Sequence, residues 1–323
     1  MERPPLEDFV RRVHGLEGRA ELDAAAAEAL DAFRALGVRC LLLKGPALSR
    51  LLYTPGEYRG YSDVDLLVAP DDLPGARRAL SDLGYTNMTA VMGVEDVAGA
   101  VHADVWARRN ETIGPLLIDL HTRLAGAQAA PEVVWRALEA RRTNIELAGR
   151  PASVLDRVGL ALHLAIHAAQ HGQAKSKPIA DLERGLESWP PEVWREASRL
   201  AQDVQASEAF AFGLRLVPAG AELAQELDLP AADHLEWEML HSDVRPRGTF
   251  HLQALMDAPS LLDAARALRR ALLPSRAWIV WQDPRAERSR AWLLAARARH
   301  LLRTPVWAMR ALRYWRRRRR ATS

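Results

Sequence analysis

The chain has 323 residues, of which 49% are hydrophobic, so it is long and apolar enough for two domains with their own cores. Its single cysteine, Cys40, excludes a disulfide framework and a cysteine-rich zinc site. No apolar run is long enough to cross a bilayer and no signal segment follows Met1, so we expect a cytoplasmic protein without a transmembrane segment. The net charge of +3 is unevenly distributed, because seventeen arginines and only two acids lie from Ala264 onward.

The first part of the chain alternates helical and extended patterns, which predicts a small mixed sheet with flanking helices. Apolar residues at helical spacing predict one or two helices between Leu6 and Leu36. The next predicted elements are a strand over Val38–Gly45, a helix over Pro46–Tyr53, a loop over Thr54–Gly60, a strand over Ser62–Val68, a helix capped by Asp71-Asp72 and ending at Leu83, and strands over Ala103–Arg108 and Leu116–His121 joined by a Gly114-Pro115 turn.

The pattern changes after Ala130. Pro131–Ala140 is helical, and Thr143–Leu155 is predicted to be either a short hairpin or an extended linker. From Arg157 the chain is almost wholly helical, with breaks at prolines. We therefore predict an α+β protein in which a mixed-sheet part is followed by a mostly helical part and a basic helical tail.

Two aspartates open the second predicted strand, and their neighbours make them a candidate metal site. Asp63 and Asp65 point to the same face because side chains in a strand alternate. Paired carboxylates are costly to bury unless a cation lies between them, and Mg²⁺ accepts such oxygen ligands. Solvated acids at a strand end explain the pair taken alone. However, Lys44 and Arg59 add cations suited to phosphate, and Gly45 lets the backbone approach a ligand closely.

Together these residues resemble the bacterial uncharacterised nucleotidyltransferase family, which belongs to the superfamily of beta-type DNA polymerases and aminoglycoside nucleotidyltransferases. The matching positions are Lys44, Gly45, Tyr53, Arg59, Asp63, Asp65 and Leu66, and then the later acidic strand Ile118-Asp119-Leu120-His121. The resemblance implies a nucleotidyltransferase-like catalytic domain over residues 1–130. The change of pattern after Ala130 and the composition of the C-terminal part predict a helical domain over 131–273 that completes the cleft, and an Arg/Trp-rich helical tail over 274–323.

The resemblance also implies roles for particular residues. Asp63, Asp65 and Asp119 would be the catalytic residues and the ligands of Mg²⁺ or Mn²⁺, and Asp119 would also take the acceptor's proton. Lys44, Gly45 and Arg59 would bind the nucleotide. The superfamily's usual Gly-Ser after the first strand is Gly45-Pro46 here, so a serine hydroxyl for the terminal phosphates is missing, and Lys44 and Arg59 are the candidates to replace it.

Three histidines, His163, His167 and His171, recur every four residues on one predicted helix. This spacing can bind zinc, but the glutamate of the metalloprotease helix is absent and no cysteine is nearby. The other interpretations are a polar stripe at the cleft, where His163 or His167 contacts base, ribose or acceptor, and packed core histidines. His121 is a further cleft candidate, either beside the metal ligands or as ordinary packing.

The C-terminal tail combines tryptophans with arginines. Arginine beside tryptophan suits phosphate backbones with stacked bases, or an anionic membrane surface. Apolar positions at helical spacing favour packing instead, and we expect packing for most of the tail and a solvated final run at Arg316–Arg320. The tryptophans are Trp278, Trp281, Trp292, Trp307 and Trp315, and the apolar positions are Leu293, Leu294, Leu301 and Leu302.

The sequence thus predicts a metal-dependent nucleotidyltransferase that moves a nucleoside monophosphate from an NTP, expected to be ATP, to a hydroxyl or other nucleophile. A small molecule, a peptide, a protein or an RNA end all fit as the acceptor. The alternative is a non-catalytic nucleotide or phospho-ligand binding module that recruits an acidic partner through its basic tail. Three converging carboxylates favour the enzyme, because a binding module does not need them.

Overall fold

A computed structural model describes residues 16–54, 56–57, 59–92, 103–172, 176–230, 255, 260–276, 279–280 and 283–322. The described residues divide into two compact units, one within Met1–Asn87 and His102–Ala232, and the other within Met88–Val101 and Asp233–Ser323. They contain one mixed sheet of seven strands and twelve α-helices, which confirms the predicted α+β class. None of the described helices has both the length and the apolar character that a membrane span requires.

The strands all lie in the first unit, and both units contain helices. The strands are β1 (Cys40–Leu42), β2 (Val64–Val68), β3 (Thr86–Asn87), β4 (Ala103–Asn110), β5 (Gly114–His121), β6 (Arg142–Leu147) and β7 (Arg150–Leu155). The helices of the first unit include α1 (Leu16–Ala35), α2 (Pro46–Leu51) and α3 (Leu73–Asp82). In chain order the remaining helices are α4 (Met88–Met92), α5 (Pro131–Glu139), α6 (Arg157–His171), α7 (Ser176–Ser188), α8 (Pro191–Asp203), α9 (Ser207–Leu214), α10 (Pro218–Glu226), α11 (Leu261–Leu272) and α12 (Arg290–Thr322), of which α4, α11 and α12 belong to the second unit.

The sheet has the strand order β3-β4-β5-β2-β1-β7-β6. Strand β2 lies at its centre, antiparallel to β1 and parallel to β5. The segment Thr143–Leu155 forms the β6–β7 hairpin, which was one of its two predicted structures, the other being an extended linker. Strand β7 joins the sheet in parallel with β1. The sheet therefore continues past Ala130, and the three-part division with a boundary at that residue stays a prediction.

Helix α1 covers the sheet with an apolar face. Leu22, Ala26, Ala29 and Phe33 recur at helical spacing and are at most 1% exposed. They belong to the same core cluster as buried residues of β1, β2 and β5. Each large apolar side chain buried in this way contributes about 1.5–3 kcal/mol to folding, so the packing of α1 stabilises this face of the sheet.

Helix α6 is the centre of the helical part of the first unit, and its residues are buried from Val158 to Ala169. The Asp156 carboxylate caps it by accepting a hydrogen bond of 2.8 Å from the Gly159 N–H. Helices α7, α8 and α9 pack around it. A Cβ atom at Gly213 of α9 would lie 1.8 Å from the Ala165 carbonyl oxygen, so only glycine allows this close approach.

Two local predictions of the sequence are wrong. Asp72 does not cap the helix that follows it, because its carboxylate instead accepts hydrogen bonds from the backbone N–H and the guanidinium of Arg39, at 2.9 and 2.8 Å. Gly114 and Pro115 are not in the β4–β5 turn. They begin β5 and pair with Asn110 and Arg109 of β4, since Gly114 supplies the positive φ of 85° that the chain needs on leaving the turn.

In the second unit, one face of helix α12 packs inside the unit. Leu293 and Ala296 join a small cluster with Ile279 and Ala286, and His300 Nε2 lies 2.8 Å from the Ala271 carbonyl oxygen. These α12 residues are spaced by three and four positions and so share one side of the helix.

The packing predicted for three leucines of α12 is wrong, because these side chains are exposed. Leu294, Leu301 and Leu302 are 65%, 42% and 77% exposed, because they lie on a different side of the helix from Leu293 and His300. Trp292 is 40% exposed, and Arg316 is also exposed. Outside the described residues or side chains are Trp278, Trp281, Trp315 and Arg317–Arg320.

Within the first unit, a buried ion pair joins the loop after α2 to helix α7. Arg59 Nε lies 2.8 Å and its Nη2 2.5 Å from the two carboxylate oxygens of Asp181, and both side chains are at most 4% exposed. The Tyr53 hydroxyl donates a further hydrogen bond of 2.6 Å to Asp181. A more exposed pair, Arg184 with Glu57 at 2.7 Å, runs beside it.

We predict that Asp181→Asn destabilises the protein by about 3–5 kcal/mol, because it leaves the Arg59 guanidinium buried without a counter-charge. Urea unfolding monitored by circular dichroism measures the free energy of unfolding. The matched control is Glu57→Gln, which removes the exposed pair and is expected to cost much less, because solvent screens that pair. Equal, small losses in both variants would contradict a structural role for the buried pair.

Deleting residues 316–323 is expected to leave the melting temperature within about 2 °C of the full chain, because a solvated arginine run buries little apolar surface. A larger fall would contradict the solvated assignment. Binding to vesicles with phosphatidylserine, at two salt concentrations, tests the anionic-surface alternative separately. A contact through Arg316–Arg320 would make the deletion weaken binding and reduce its salt dependence.

Candidate active site

The register of the central strands brings three polar side chains together. Strand β2 pairs with β5 so that Asp65 lies opposite Asp119, and Leu67 lies opposite His121. Residues 119 and 121 are two positions apart in β5 and therefore point to the same face. Lys44 lies two residues after β1, and the intervening Leu43 extends the ladder, because its N–H donates a 3.0 Å hydrogen bond to the Asp65 carbonyl.

The Asp65 carboxylate is buried, and its two oxygens have different surroundings. Oδ1 lies 3.1 Å from Lys44 Nζ and 3.1 Å from His121 Nε2. Oδ2 is buried without a hydrogen-bond partner among the described residues. Burial opposes ionisation of this carboxyl, but the Lys44 charge and the contact with His121 together hold its pKa below the usual range. Asp65 is therefore ionised at neutral pH.

The pKa values of the other two acids are raised instead. Burial, and then repulsion from the Asp65 carboxylate, raise the pKa of Asp119 to about 6. The same two causes raise the pKa of Asp63. The repulsion shows that these carboxylates lie near one another in a region of low water access, where a cation would lower the cost of ionising them.

The donor set fits a divalent ion. Asp65, Asp119 and His121 each offer one ligand atom, and these atoms lie within 4.8 Å of one another. The unpartnered Asp65 Oδ2 is the kind of buried oxygen that a bound ion would satisfy. Asp63 is not in this group of three, so the predicted set of Asp63, Asp65 and Asp119 stays a prediction, and His121 joins the candidates.

Lys44 and Gly45 lie at the edge of this cluster. The Lys44 ammonium is mostly withdrawn from water, which opposes its charge, but Asp65 and then Asp63 raise its pKa, so it is a fixed cation. Gly45 has a φ of 63°, and a Cβ there would contact the Asp63 carbonyl oxygen at 3.4 Å. The positive φ favours glycine at this position, and a nucleotide-binding role for Gly45 stays a prediction.

Arg59 lies beside this turn but is committed to another partner. Its guanidinium forms the bidentate pair with Asp181 described above and reaches the Gly45 carbonyl oxygen at 3.5 Å. The sequence did not identify Asp181 as its partner, because the two residues are 122 positions apart. A phosphate-binding role for Arg59 stays a prediction.

Lys177, on α7, is a cation that the sequence analysis missed. Its pKa is lowered, first by partial loss of water and then by the positive charge of Arg59, while Asp181 and Asp63 act in the opposite direction. Its side chain is exposed and lies within electrostatic reach of these charged groups. It forms no ion pair with any residue that the structure describes, and the only available signal was a lysine close to Asp181 in the sequence.

The histidine stripe of α6 is buried next to the same charges. Burial, and then the nearby Lys44 ammonium, lower the pKa of His163 to about 3 and that of His167 well below its ordinary value, so both rings are neutral. The His163 and His167 rings stack at 5.7 Å, and the His171 ring meets His167 edge-on at 4.5 Å. No described group of potential metal ligands includes them, so the structure does not support the zinc interpretation.

Comparison with known proteins identifies the family. Residues 4–219 match the model of a family described as "Uncharacterised nucleotidyltransferase", which confirms the resemblance seen in the sequence. None of the curated proteins matches the chain.

Three solved structures are similar to part of the chain. The antibiotic-resistance factor ANT(2'')-Ia is 16% identical with a TM-score of 0.41, over 59% of this chain and 95% of that one. An antigenic nucleotidyltransferase-like protein from Paracoccidioides brasiliensis is 14% identical with a TM-score of 0.33, over 58% and 93% of the two chains. The lincosamide antibiotic adenylyltransferase LnuA, bound to lincomycin, is 17% identical with a TM-score of 0.31, over 49% and 92%.

The raised pKa of Asp119 predicts a specific pH dependence of stability. Between about pH 4 and pH 6 the folded protein holds a proton that the unfolded chain has released, so this group makes the free energy of unfolding fall as pH rises. Asp119→Asn removes this effect. We expect the variant to gain on the order of 1–3 kcal/mol over the wild type at pH 8 and little at pH 4, measured by urea unfolding.

The control for this prediction is Asp72, whose pKa is shifted in the opposite direction to that of Asp119. Arg39 lowers the pKa of Asp72, so its contribution is present at neutral pH and is lost as pH falls. Asp72→Asn should therefore lose stability at pH 8 relative to the wild type. A loss at pH 8 in both variants would contradict the assigned state of Asp119.

Proposed function

Because the chain belongs to the uncharacterised nucleotidyltransferase family, we propose that it transfers a nucleoside monophosphate from an NTP, with ATP as the expected donor, to a hydroxyl or other nucleophile. Mg²⁺ or Mn²⁺ is the expected cofactor. The observation that carries the proposal is the register of β2 against β5, which sets Asp65 beside Asp119 and leaves Asp65 Oδ2 buried without a partner among the described residues.

The acids are proposed to hold the ion and to manage the acceptor's proton. Asp65 and Asp119, with Asp63 or His121, would hold a divalent ion, which supplies charge neutralisation at the phosphates when bound. Asp119 is proposed as the base, because a bound ion beside it would keep its carboxylate ionised and able to accept a proton. The acceptor then attacks the α-phosphorus, its proton passes to Asp119, and pyrophosphate leaves.

The cations around the acids are proposed to bind the triphosphate. Lys44 is a fixed ammonium beside Asp65, and Lys177 presents a second ammonium from α7. Both suit phosphate oxygens as point charges. Lys177 is thus the proposed substitute for the serine hydroxyl that Pro46 replaces. Arg59 holds α7, and with it Lys177, against the loop before β2 through Asp181.

We expect Asp65→Asn and Asp119→Asn each to lower NTP turnover by at least about 10²-fold, since the amide keeps the shape but loses the charge that binds the ion. Pyrophosphate release from each of the four NTPs, in the presence of a mixture of candidate acceptors, measures turnover. Asp72→Asn, an acid paired with Arg39, is the matched control and should keep full activity.

The proposed triphosphate contact makes a separate forecast in the same assay. Lys177→Ala should raise the KM for the NTP by about tenfold and affect kcat less, while Arg195→Ala, which removes an exposed arginine paired with Glu192, should change neither. Full turnover in both aspartate variants would refute the catalytic proposal and favour the non-catalytic nucleotide-binding alternative.

A further inference from the structure

We infer that His121 is itself a ligand of the metal ion, beside Asp65 and Asp119, so that the site takes a first-row transition-metal dication in preference to Mg²⁺. The inference rests on the proposed function in one respect, the expectation that a divalent ion binds at these acids. It differs from the set predicted from sequence, in which all three ligands are carboxylates.

The first observation is geometric. One ligand atom from each of Asp65, Asp119 and His121 lies within 4.8 Å of the others. Ligands about 2.0–2.2 Å from an ion are separated by at most about 4.4 Å, so one ion fits these three atoms after a small closure. Among the described residues, this is the group with that geometry, and Asp63 is not part of it.

The second observation concerns Asp65 alone. The carboxylate is 1% exposed, and Oδ2 has no hydrogen-bond partner among the described residues. Leaving a charged oxygen buried and unpaired is costly, because its lost hydration is not replaced, and Lys44 and His121 both approach the other oxygen, Oδ1. A cation at Oδ2 would remove that cost, so this oxygen points to a ligand independently of the grouping of the acids.

The chemistry of the donors then selects the ion. Mg²⁺ prefers oxygen ligands, usually keeps several waters and requires near-octahedral geometry. Imidazole nitrogen favours the transition metals, whose affinities rise along the first row from Mn²⁺. The Lys44 ammonium, 3.1 Å from Asp65 Oδ1, repels every dication similarly, so it does not decide between them. The imidazole of His121 is the donor that does.

Pulsed electron paramagnetic resonance of the full chain loaded with Mn²⁺, without NTP or acceptor, tests this directly. A directly bonded imidazole gives a ¹⁴N modulation in the electron spin echo, and we expect the wild type to show it. His121→Asn should lose it, whereas His171→Asn, from the α6 stripe, should keep it. Chain labelled with ¹⁵N only in histidine should change the modulation to the ¹⁵N pattern, and this arm needs no substitution.

Affinity gives the second readout. Titration of free Mn²⁺ should show His121→Asn binding Mn²⁺ at least about tenfold more weakly, while its affinity for Mg²⁺, measured by competition, changes less than about threefold. Bound Mn²⁺ without histidine modulation in the wild type would overturn the inference and leave His121 as a hydrogen-bonding neighbour of Asp65. Absence of Mn²⁺ binding would overturn it as well. Bound Mn²⁺ with histidine modulation, but no NTP turnover, would refute the proposed function and support this inference.

Discussion

The buried charge of Asp65 is the constraint on which the site depends. A carboxylate 1% exposed at the centre of a sheet is strongly unfavourable unless opposite charges and hydrogen bonds compensate it. Lys44, two residues after β1, and His121, at the end of β5, provide that compensation from the two sides of β2. The antiparallel register with β1 and the parallel register with β5 therefore position the groups that stabilise the buried Asp65 carboxylate. The geometry of the site thus depends directly on the strand order and register of the sheet.

Compensation at Asp65 is incomplete, and its neighbours show the consequence. The pKa of Asp65 is lowered, while those of Asp63 and Asp119 are raised by burial and by the Asp65 charge. Neighbouring carboxyl groups with pKa values moved in opposite directions are common at functional sites, because burial and like charges are concentrated there. The cost in stability at neutral pH is the kind that proteins keep at functional sites.

The helical part of the first unit contributes the other groups near Lys44 and Asp65. The Arg59–Asp181 pair anchors α7 to the loop before β2, and α6 contributes neutral, buried histidines beside Lys44. Neutral rings and apolar residues lower the local dielectric, which strengthens the interaction of Lys44 and Asp65 with any charged ligand. In the same low dielectric, the buried polar atoms of His163 and Asp65 Oδ2, which have no hydrogen-bond partner among the described residues, are energetically costly.

The sequence alone determined what depends on near neighbours. The alternation of side chains along a strand placed Asp63 and Asp65 on one face, and prolines at the first helical turn marked the starts of helices such as α8 and α10. Composition and periodicity were enough for the α+β class. Each of these features follows from geometry that repeats within a few residues, so no knowledge of the rest of the fold is required.

Only the tertiary structure decided the contacts between distant residues. Asp181 meets Arg59 across 122 positions and His121 meets Asp65 across 56, and no local pattern indicates which acid a given cation will choose. The same limit applies to Asp72, which binds Arg39 instead of capping its helix, and to Leu301 and Leu302, whose helical spacing is compatible with packing although that side of α12 is exposed. Sequence spacing fixes which side chains share a face, but the partner of that face is set by strand order and helix packing, which depend on the whole chain at once.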